Sequence, residues 1–410
     1  MTDGGGRRPV HLVAAILALS LGGFGIGTTE FVSMGLLPEM ADAVSVSIPQ
    51  AGHVISAYAL GVVVGAPLLT ALGARVPRKT MLVALSVAFA LGNAATALAT
   101  GYPSLVAARF ATGLPHGAYF GVGALVAASL VAPRKRAQAV GWMMLGLSVA
   151  NVVGVPAATW LGQELGWRSA YWSVAVVGVL TALALLRWVP HRPAPAQAGV
   201  RRELGGLRRP QIWLTLLVGT VGFGGMFATY TYIAPTMTEV AGMSTGTVPV
   251  VLALYGVGMV TGNILGGWAA DRGVVTAIFA GMGAVAVVMA LFTVAVRNPW
   301  TGVLVVVLAG TSGSSLVPAL QTRLMDVAGD AQAVAASLNH AALNLANAAG
   351  AWLGGVVIAL GWGFASTGWV GSVLAVLGLA VMALSAGLDR RARATSDDRS
   401  PYAEIARMPR

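Results

Sequence analysis

The sequence is marked first by what it lacks. It contains no cysteine among its 410 residues, which excludes disulfide bonds and thiolate metal sites. Charged residues make up only 10% of the chain, whereas soluble domains carry about 25%. No G-x-x-x-x-G-K-[ST] loop is present, so the sequence offers no phosphate-binding loop for ATP. These absences argue against a soluble domain, a disulfide-stabilised scaffold and an ATP-driven pump.

Hydrophobic residues dominate instead, at 57% of the chain with a mean hydropathy of +0.78. Twelve apolar runs of roughly 20 residues are long enough to cross a hydrocarbon core about 30 Å thick. The runs are continuous rather than alternating, which predicts helices and not barrel strands. The first run lacks a small-residue cleavage site, so we expect a retained helix rather than a signal peptide. The predicted spans are 11–36, 50–73, 80–99, 103–130, 137–160, 168–189, 211–235, 247–269, 274–296, 300–325, 332–358 and 364–388.

The second half of the chain repeats the first at an offset of 197 positions. Two tandem units, each with an even number of spans, predict a parallel-repeat transporter with a substrate path between its halves. The matching pairs are Pro38 and Pro235, Asp42 and Glu239, Tyr58 and Tyr255, Gly61 and Gly258, Gly65 and Gly262, and Arg75 and Arg272. We therefore expect a cytoplasmic N-terminus at 1–10, a six-helix bundle at 11–189, a cytoplasmic linker at 190–210, a second bundle at 211–388 and a cytoplasmic tail at 389–410.

The net charge of +11 follows the predicted topology. Nearly all basic residues lie at the chain ends, in the central linker or in the turns on the same side, which places both termini in the cytoplasm. The acids Glu39, Asp42, Glu164 and Glu239 then lie outside. This distribution explains the basic charge without nucleic acid, which we do not expect as a partner. Histidines and acids do not cluster at metal-ligand spacing, so no metal site is predicted.

Two basic turns carry a resemblance to a known family. The first, Thr70-Ala-Leu-Gly-Ala-Arg-Val-Pro-Arg-Lys79, resembles the G-x-L-a-D-R-x-G-R-K motif of the major facilitator superfamily, although Ala74 replaces its acid. The second, Gly267-Trp-Ala-Ala-Asp-Arg-Gly273, keeps the Asp-Arg core. The resemblance implies an all-α membrane protein of twelve helices in two pseudo-symmetric six-helix bundles. It also implies a cytoplasmic gate, for which the candidates are Arg75, Arg78, Lys79, Asp271 and Arg272. Alternatively, both turns only anchor helices to anionic headgroups.

Glu30, Arg109 and His116 are ionisable residues inside predicted spans. A charge in the hydrocarbon region costs about 2.5–3.5 kcal/mol on the insertion scale, so such a residue usually faces a cavity or a partner. At 1.5 Å per residue, Glu30 lies about 12 Å and Arg109 about 9 Å below the outer edge. His116 lies two turns from Arg109 on the same helix face.

These residues carry a second part of the resemblance. The segment from Arg109 to Gly113 resembles the family's R-x-x-x-G motif, and 25–38 resembles the first span of bacterial drug:proton antiporters. The resemblance implies a role in proton coupling for the arginine. We expect Glu30 to be the protonatable or substrate-sensing acid, with Arg109 as its partner and His116 beside them. Alternatively, Arg109 is structural and bonded to backbone carbonyls, and Glu30 only tunes the potential of a water-filled vestibule.

Aromatic and amide side chains are the candidates for a central cavity. The eleventh span places Asn339, His340, Asn344 and Asn347 along a polar stripe, in which His340 and Asn344 are four residues apart. This stripe lines the cavity or, alternatively, bonds between helices. The cavity candidates are Phe24, Phe31, Tyr119, Phe120, Phe223, Phe227, Tyr230, Asn339, His340 and Asn344. The aromatic members would alternatively face lipid or the protein core.

The fifth span resembles the antiporter motif of drug exporters through Gly146, Gly154 and Pro156. Here Val155 separates Gly154 from Pro156, and the closing Gly pair of the G-P-x-x-G-G pattern is missing. A proline inside a helix removes a backbone hydrogen bond and bends it. The resemblance implies a kinked face that limits leak during export. A bend without any directional role is the alternative.

Together these patterns predict a transporter rather than an enzyme. They most resemble the drug:proton antiporter branch, and within it the arabinose-efflux-permease-like and chloramphenicol-resistance-like exporters. We expect a monomer in the bacterial inner membrane that exports a small organic compound, such as a drug or a sugar, by proton antiport. The proton-motive force would drive it without a cofactor. The alternative is a proton-coupled importer of a sugar, nucleoside or similar solute.

Overall fold

The computed structural model describes residues 9–73, 76–132, 136–191, 209–328 and 332–398. The regular structure of these residues is helical throughout. The long helices are α1 (Pro9–Gly35), α2 (His53–Leu72), α3 (Arg78–Ala97), α4 (Tyr102–Ser129), α5a (Arg136–Val149), α5b (Val155–Leu165), α6 (Trp167–Trp188), α7 (Pro210–Thr231), α8 (Val248–Arg272), α9 (Val274–Ala295), α10 (Pro299–Ala328), α11 (Gln332–Val357) and α12 (Thr367–Asp398). Two short helices, Leu37–Ala43 and Ile48–Ala51, connect α1 to α2.

Eleven helices of the described chain are long and apolar enough to cross a membrane. The twelfth predicted span, 103–130, corresponds to α4, a helix of 28 residues that does not reach the same hydropathy. Its polar residues explain the difference, since Arg109 and His116 lie in its middle and Pro115 between them. The predicted all-α, multi-span membrane fold is confirmed.

Two helices are interrupted where the sequence predicts a continuous span. A π-helical turn, Ala150–Gly154, separates α5a from α5b. Pro156 stands in the first turn of α5b and has no backbone N–H, so the hydrogen-bond ladder is rearranged just before it. In the predicted span 211–235, α7 ends at Thr231 and the chain continues through a break at Tyr232.

The helices pack in matching pairs in the two halves. In the first half α1 packs on α5, α2 on α4 and α3 on α6; in the second half α7 packs on α11, α8 on α10 and α9 on α12. Between the halves, α2 packs on α11 and α5 on α8. Each contact thus has an equivalent in the other half, as the tandem repeat predicts.

Glycines at repeat positions bring the paired helices together. A Cβ at Gly61 of α2 would collide with the carbonyl oxygen of Phe110 in α4. A Cβ at Gly258 of α8 would collide in the same way with the carbonyl oxygen of Val307 in α10. Both members of the second pair lie 197 positions after those of the first. Close backbone approach of this kind is the usual role of small residues between membrane helices.

Two hydrogen bonds and one hydrophobic cluster join the two halves at one end of the helices. We call this end the acidic face, formed by 36–48 and 240–247; the opposite end, formed by Gly73, 76–78 and 272–274, is the basic face. At the acidic face, Gln163 Nε2 donates to the carbonyl oxygen of Thr245 at 3.2 Å. Ser56 Oγ donates to the carbonyl oxygen of Ala348 at 3.0 Å. One hydrophobic cluster spans both halves here and includes Met34, Leu37, Ile55, Phe227 and Leu252.

Toward the basic face, the charged side chains bond within their own half. Lys79 Nζ donates to the carbonyl oxygen of Leu186, which joins α3 to α6. Arg323 of α10 forms an ion pair with Asp389 of α12. The halves are therefore joined at the acidic face, while these basic-face contacts stabilise each half separately. Most of the predicted linker, the two ends of the chain and Arg75 lie outside the described residues, so the division at 190–210 stays a prediction.

Candidate functional site

Arg109 is fully buried in α4 and is held by the first helix. Its Nη1 and Nη2 donate to Oγ1 and the carbonyl oxygen of Thr29, at 3.3 and 3.2 Å. Thr29 Oγ1 in turn donates to Oδ1 of Asn93 on α3. The guanidinium also lies over the ring of Tyr58, 4.3 Å from its centroid, and 5.5 Å from that of Tyr171. These contacts hold a cation inside the first half, and among the described residues it forms no ion pair with a carboxylate.

Glu30 follows Thr29 directly and is also buried, with 6% of its surface exposed. It lies within Coulombic reach of Arg109, Tyr58 and Tyr230. Among the described residues the ion pair is the one between Arg323 and Asp389, so Glu30 and Arg109 do not form a salt bridge. Acid and cation lie near each other, but the hydrogen bonds of the guanidinium go to Thr29 and not to the acid, and its Nε has no partner among the described residues. The Glu30 carboxyl therefore keeps the freedom to change its proton without breaking an ion pair.

His116 is linked to Arg109 through Tyr58. His116 Nδ1 lies 3.0 Å from the hydroxyl oxygen of Tyr58, whose ring carries the guanidinium on its face. On its other side His116 meets Phe120 edge-on, with ring centroids 5.3 Å apart. Phe120 stacks in parallel on His340 of α11 at 5.5 Å. A continuous line of side chains thus runs from the buried cation to the second half.

The second half contributes a tyrosine pair close to Glu30. Tyr230 of α7 and Tyr255 of α8 stack at 4.0 Å between centroids, with their planes 12° apart. Phe31 lies 5.7 Å from Tyr230, which brings the first helix against this pair. The Tyr255 hydroxyl is buried and has no partner among the described residues. The surroundings of Glu30 on this side are therefore aromatic, and the Tyr255 hydroxyl is a polar group available for hydrogen bonding.

The predicted polar stripe on α11 is divided between two roles. Asn344 Nδ2 donates to the carbonyl oxygen of His340 at 3.0 Å, while its Oδ1 is buried without a partner. Asn347 is fully buried, and both polar atoms of its amide lack a partner in the described structure. Asn339 instead donates to Gln321 Oε1 of α10 at 2.6 Å, nearer the basic face. Of the residues in this stripe, those that remain candidates for lining the central cavity are His340, Asn344 and Asn347.

Four other aromatic candidates lie against residues of their own half. The Tyr119 hydroxyl donates to the carbonyl oxygen of Leu19 at 3.0 Å, inside the first half and away from the second. The ring of Phe24 lies against Gly154, where a Cβ would collide with it. Phe227 lies 6.2 Å from Phe223 on the same helix. Tyr119 is therefore placed in the core of the first half rather than on the path between the halves.

Among the described gate candidates, the hydrogen bonds and ring contacts go to other residues and not to one another. Arg272 lies over the ring of Trp268 at 3.5 Å and donates to that residue's carbonyl oxygen, whereas Asp271 is exposed. Arg78 begins α3, and Lys79 caps the end of α6. Arg75 lies outside the described residues. These positions suit anchoring of helix ends, and a gate built from them stays a prediction.

The antiporter-motif helix connects the first helix to the second half. A Cβ at Gly146 would collide with the carbonyl oxygen of Ser20 in α1, and one at Gly154 with the side chain of Thr28. On the opposite side, Gly256 of α8 leaves room for the carbonyl oxygen of Asn151. The π-helical turn thus lies between α1, which carries Glu30, and α8, which carries Tyr255.

Sequence reasoning missed several residues of this site. Tyr58 and Tyr255 were visible as a repeat pair, and their shared position was the signal that could have identified them. Thr29 and Asn93 gave only the weak signal of polar residues inside spans. Tyr171, whose hydroxyl shares a 2.6 Å hydrogen bond with Ser33, gave none.

Comparison with known proteins agrees with this architecture. The family model described as Major Facilitator Superfamily matches residues 19–336 and 233–408. The inner membrane transport protein YdhP of Escherichia coli (strain K12) is 43% identical over 371 residues, covering 90% of this chain and 95% of YdhP. A chloramphenicol resistance protein of Streptomyces lividans is 32% identical, covering 91% and 95%. The crystal structure of a D-xylose-proton symporter superposes with a TM-score of 0.73 at 18% identity, covering 91% and 97%.

Proposed function

We propose that this chain, which belongs to the major facilitator superfamily, exports a small organic compound in exchange for protons. The observation that carries the proposal is Glu30, a buried carboxyl within Coulombic reach of Arg109 but not paired with it. An unpaired buried acid is expensive in a membrane and is a functional-site hypothesis by default. It can bind a proton from one side and release it to the other.

Alternating access follows from the packing of the two halves. In the state described here the halves are joined at the acidic face through Gln163 and Ser56. We take the acidic face as the outer side of the inner membrane, with both termini in the cytoplasm, as the distribution of basic residues indicates. Rocking of one half against the other would open this face and release the substrate outside. A single chain contains both halves, so a monomer is sufficient.

One proton suffices to drive useful export. Moving one charge through a potential of 100 mV supplies about 2.3 kcal/mol. Since 1.4 kcal/mol corresponds to a tenfold change, this energy supports a substrate gradient of about 50-fold. The exchange requires only that protonation of Glu30 and binding of the substrate exclude each other.

The side chains between the halves favour a compound with a flat or weakly amphipathic surface. Tyr230 and Tyr255 offer a stacked aromatic surface, and the buried Oδ1 of Asn344 on α11 has no partner among the described residues and can bond a ligand. The chloramphenicol resistance protein is similar over almost the whole chain, which supports chloramphenicol as the first probe. A sugar such as arabinose is the second probe, because hydroxyl groups would bond the amides of α11.

The test is export of labelled chloramphenicol and arabinose from cells expressing the wild type or the Glu30→Gln variant. The matched control is Glu164→Gln, which changes an exposed acid at the acidic face. We expect a protonophore to abolish wild-type export, Glu30→Gln to lower it at least tenfold, and Glu164→Gln to leave it unchanged. Energised accumulation would establish the importer instead. Export that survives in Glu30→Gln would move proton coupling to another residue.

A further inference from the structure

Tyr58 is the one side chain that contacts both Arg109 and His116 in the hydrogen-bond and cation–π contacts of the described structure. It is completely buried in α2. The face of its ring lies under the guanidinium of Arg109, 4.3 Å from the ring centroid. Its hydroxyl oxygen lies 3.0 Å from Nδ1 of His116. The two contacts use different parts of the phenol, so both are made at once.

The cation determines the direction of the hydrogen bond between Tyr58 and His116. A guanidinium on the ring face attracts the π electrons of the phenol. This withdrawal makes the hydroxyl a better donor and its oxygen a poorer acceptor. In a neutral imidazole one nitrogen carries the hydrogen and the other accepts. With Tyr58 as the donor, Nδ1 of His116 is the accepting nitrogen and Nε2 carries the hydrogen.

We propose that Tyr58 is a positioning residue that holds His116 as the Nε2–H tautomer and orients this N–H for the substrate. The inference rests on the proposed function and on the sequence-based prediction that His116 lies beside Glu30 and Arg109 in the transport site. Nε2 of His116 makes no hydrogen bond to the described part of the protein, so its hydrogen is available. The imidazole edge adjoins Phe120, which stacks on His340 of the other half. Arg109 therefore acts on the path between the halves through Tyr58.

The repeat provides a matched control for this idea. Tyr255 occupies the position equivalent to Tyr58 and is likewise buried. Its ring stacks on Tyr230 instead of lying under a guanidinium, and its hydroxyl has no partner among the described residues. Tyr58→Phe and Tyr255→Phe thus remove the same atom from equivalent places. Only the first removal changes a hydrogen bond.

The direct test is nitrogen NMR of the full chain with ¹⁵N-labelled histidine, in detergent or lipid, without added substrate. The sequence has only 5 histidines, and His116→Gln assigns the signals of His116 by their loss. We expect the wild type to show an Nε2–H tautomer with a hydrogen-bonded Nδ1. Tyr58→Phe should shift the Nδ1 signal to that of an unbonded acceptor or to a mixture of tautomers, and Tyr255→Phe should leave it unchanged. A wild-type Nδ1–H tautomer would overturn the proposal, as would unchanged signals in Tyr58→Phe.

Transport measurements distinguish a positioning role of Tyr58 from a general structural role. We expect Tyr58→Phe to raise the chloramphenicol concentration for half-maximal efflux about fivefold, the effect of one hydrogen bond, with the maximal rate unchanged. Tyr102→Phe, which removes a hydroxyl 2.7 Å from Nδ1 of the exposed His53 and outside the proposed site, should change neither quantity. Equal loss in both variants would overturn the specific role of Tyr58. If the wild type exports no chloramphenicol, the proposed substrate fails while the NMR result still decides the tautomer.

Discussion

The hydrogen bond from Gln163 to Thr245 links the two halves at the acidic face, so its removal should shift the protein toward the state that is open there. Gln163 Nε2 belongs to the first half and donates across to a backbone carbonyl of the second at 3.2 Å. Ser56 Oγ makes a second bond of this kind, to the carbonyl oxygen of Ala348 at 3.0 Å. Opening of the acidic face must break both bonds. Gln163→Ala and Ser56→Ala each remove one.

The size of the effect follows from the energy of a hydrogen bond. One such bond contributes about 1 kcal/mol net, so each single variant should raise the ratio of open to closed molecules about fivefold. The two bonds lie on different helices and have different acceptors, which makes their contributions additive. The double variant should therefore change the ratio by about 2 kcal/mol, or about 30-fold.

The assay is a distance distribution between two spin labels, which the absence of native cysteine makes straightforward. Ala43→Cys and Ser244→Cys place labels at exposed positions of opposite halves on the acidic face. We expect a longer-distance population that grows from the wild type through the single variants to the double variant. Ser169→Ala is the control, because its hydroxyl bonds only to carbonyls of the first half. An unchanged distribution in the double variant would refute the role of these bonds in closure.

Two further predictions concern the same machinery. Burial raises the pKa of the Glu39 carboxyl above its ordinary value of 4.5 in the closed state. Protonation of Glu39 therefore favours the closed state. The closed population should grow as the pH falls through the raised pKa toward 4.5. The spin-label distances should lose this pH dependence in Glu39→Gln and keep it in Glu164→Gln. Gly146→Ala should destabilise the protein by about 1–3 kcal/mol, because the added methyl would collide with the carbonyl oxygen of Ser20. Gly141→Ala on the same helix meets no atom within 4 Å, so thermal unfolding should show a loss only for the first variant.

The sequence predicted the fold well because hydropathy and repetition act over many residues. A continuous run of about 20 apolar residues favours a helix in lipid, because a helix satisfies the backbone hydrogen bonds within the run itself. The repeat also predicted equivalent positions in the two halves, and Gly61 and Gly258 make equivalent close contacts between helices. The break at Tyr232 was missed, because it interrupts an apolar run without a change in composition.

The candidate site was predicted less completely, since contacts between distant helices leave no local pattern. Glu30 and Arg109 could be placed at similar depths by counting residues, which brought them within electrostatic reach. Counting could not show that the guanidinium would bond Thr29 instead of Glu30. Nor could it show that Tyr119 would face the core of the first half, because helix rotation about its axis is set by packing.

The fold is symmetric, but its chemistry is not, and this difference indicates how the halves divide their work. At an offset of 197, the partners of Glu30, Arg109 and His116 are Phe227, Val306 and Gly313. The second half therefore repeats the helices of the first without these three ionisable residues. It provides aromatic rings and amides instead, and its Tyr230 lies within Coulombic reach of Glu30. Phe31, next to Glu30, contacts Tyr230 of the second half in the closed state. Separation of the halves must therefore move this tyrosine away from Glu30. Under the proposed function, a proton on Glu30 would thereby be coupled to the contact between the halves, which is the coupling that antiport requires.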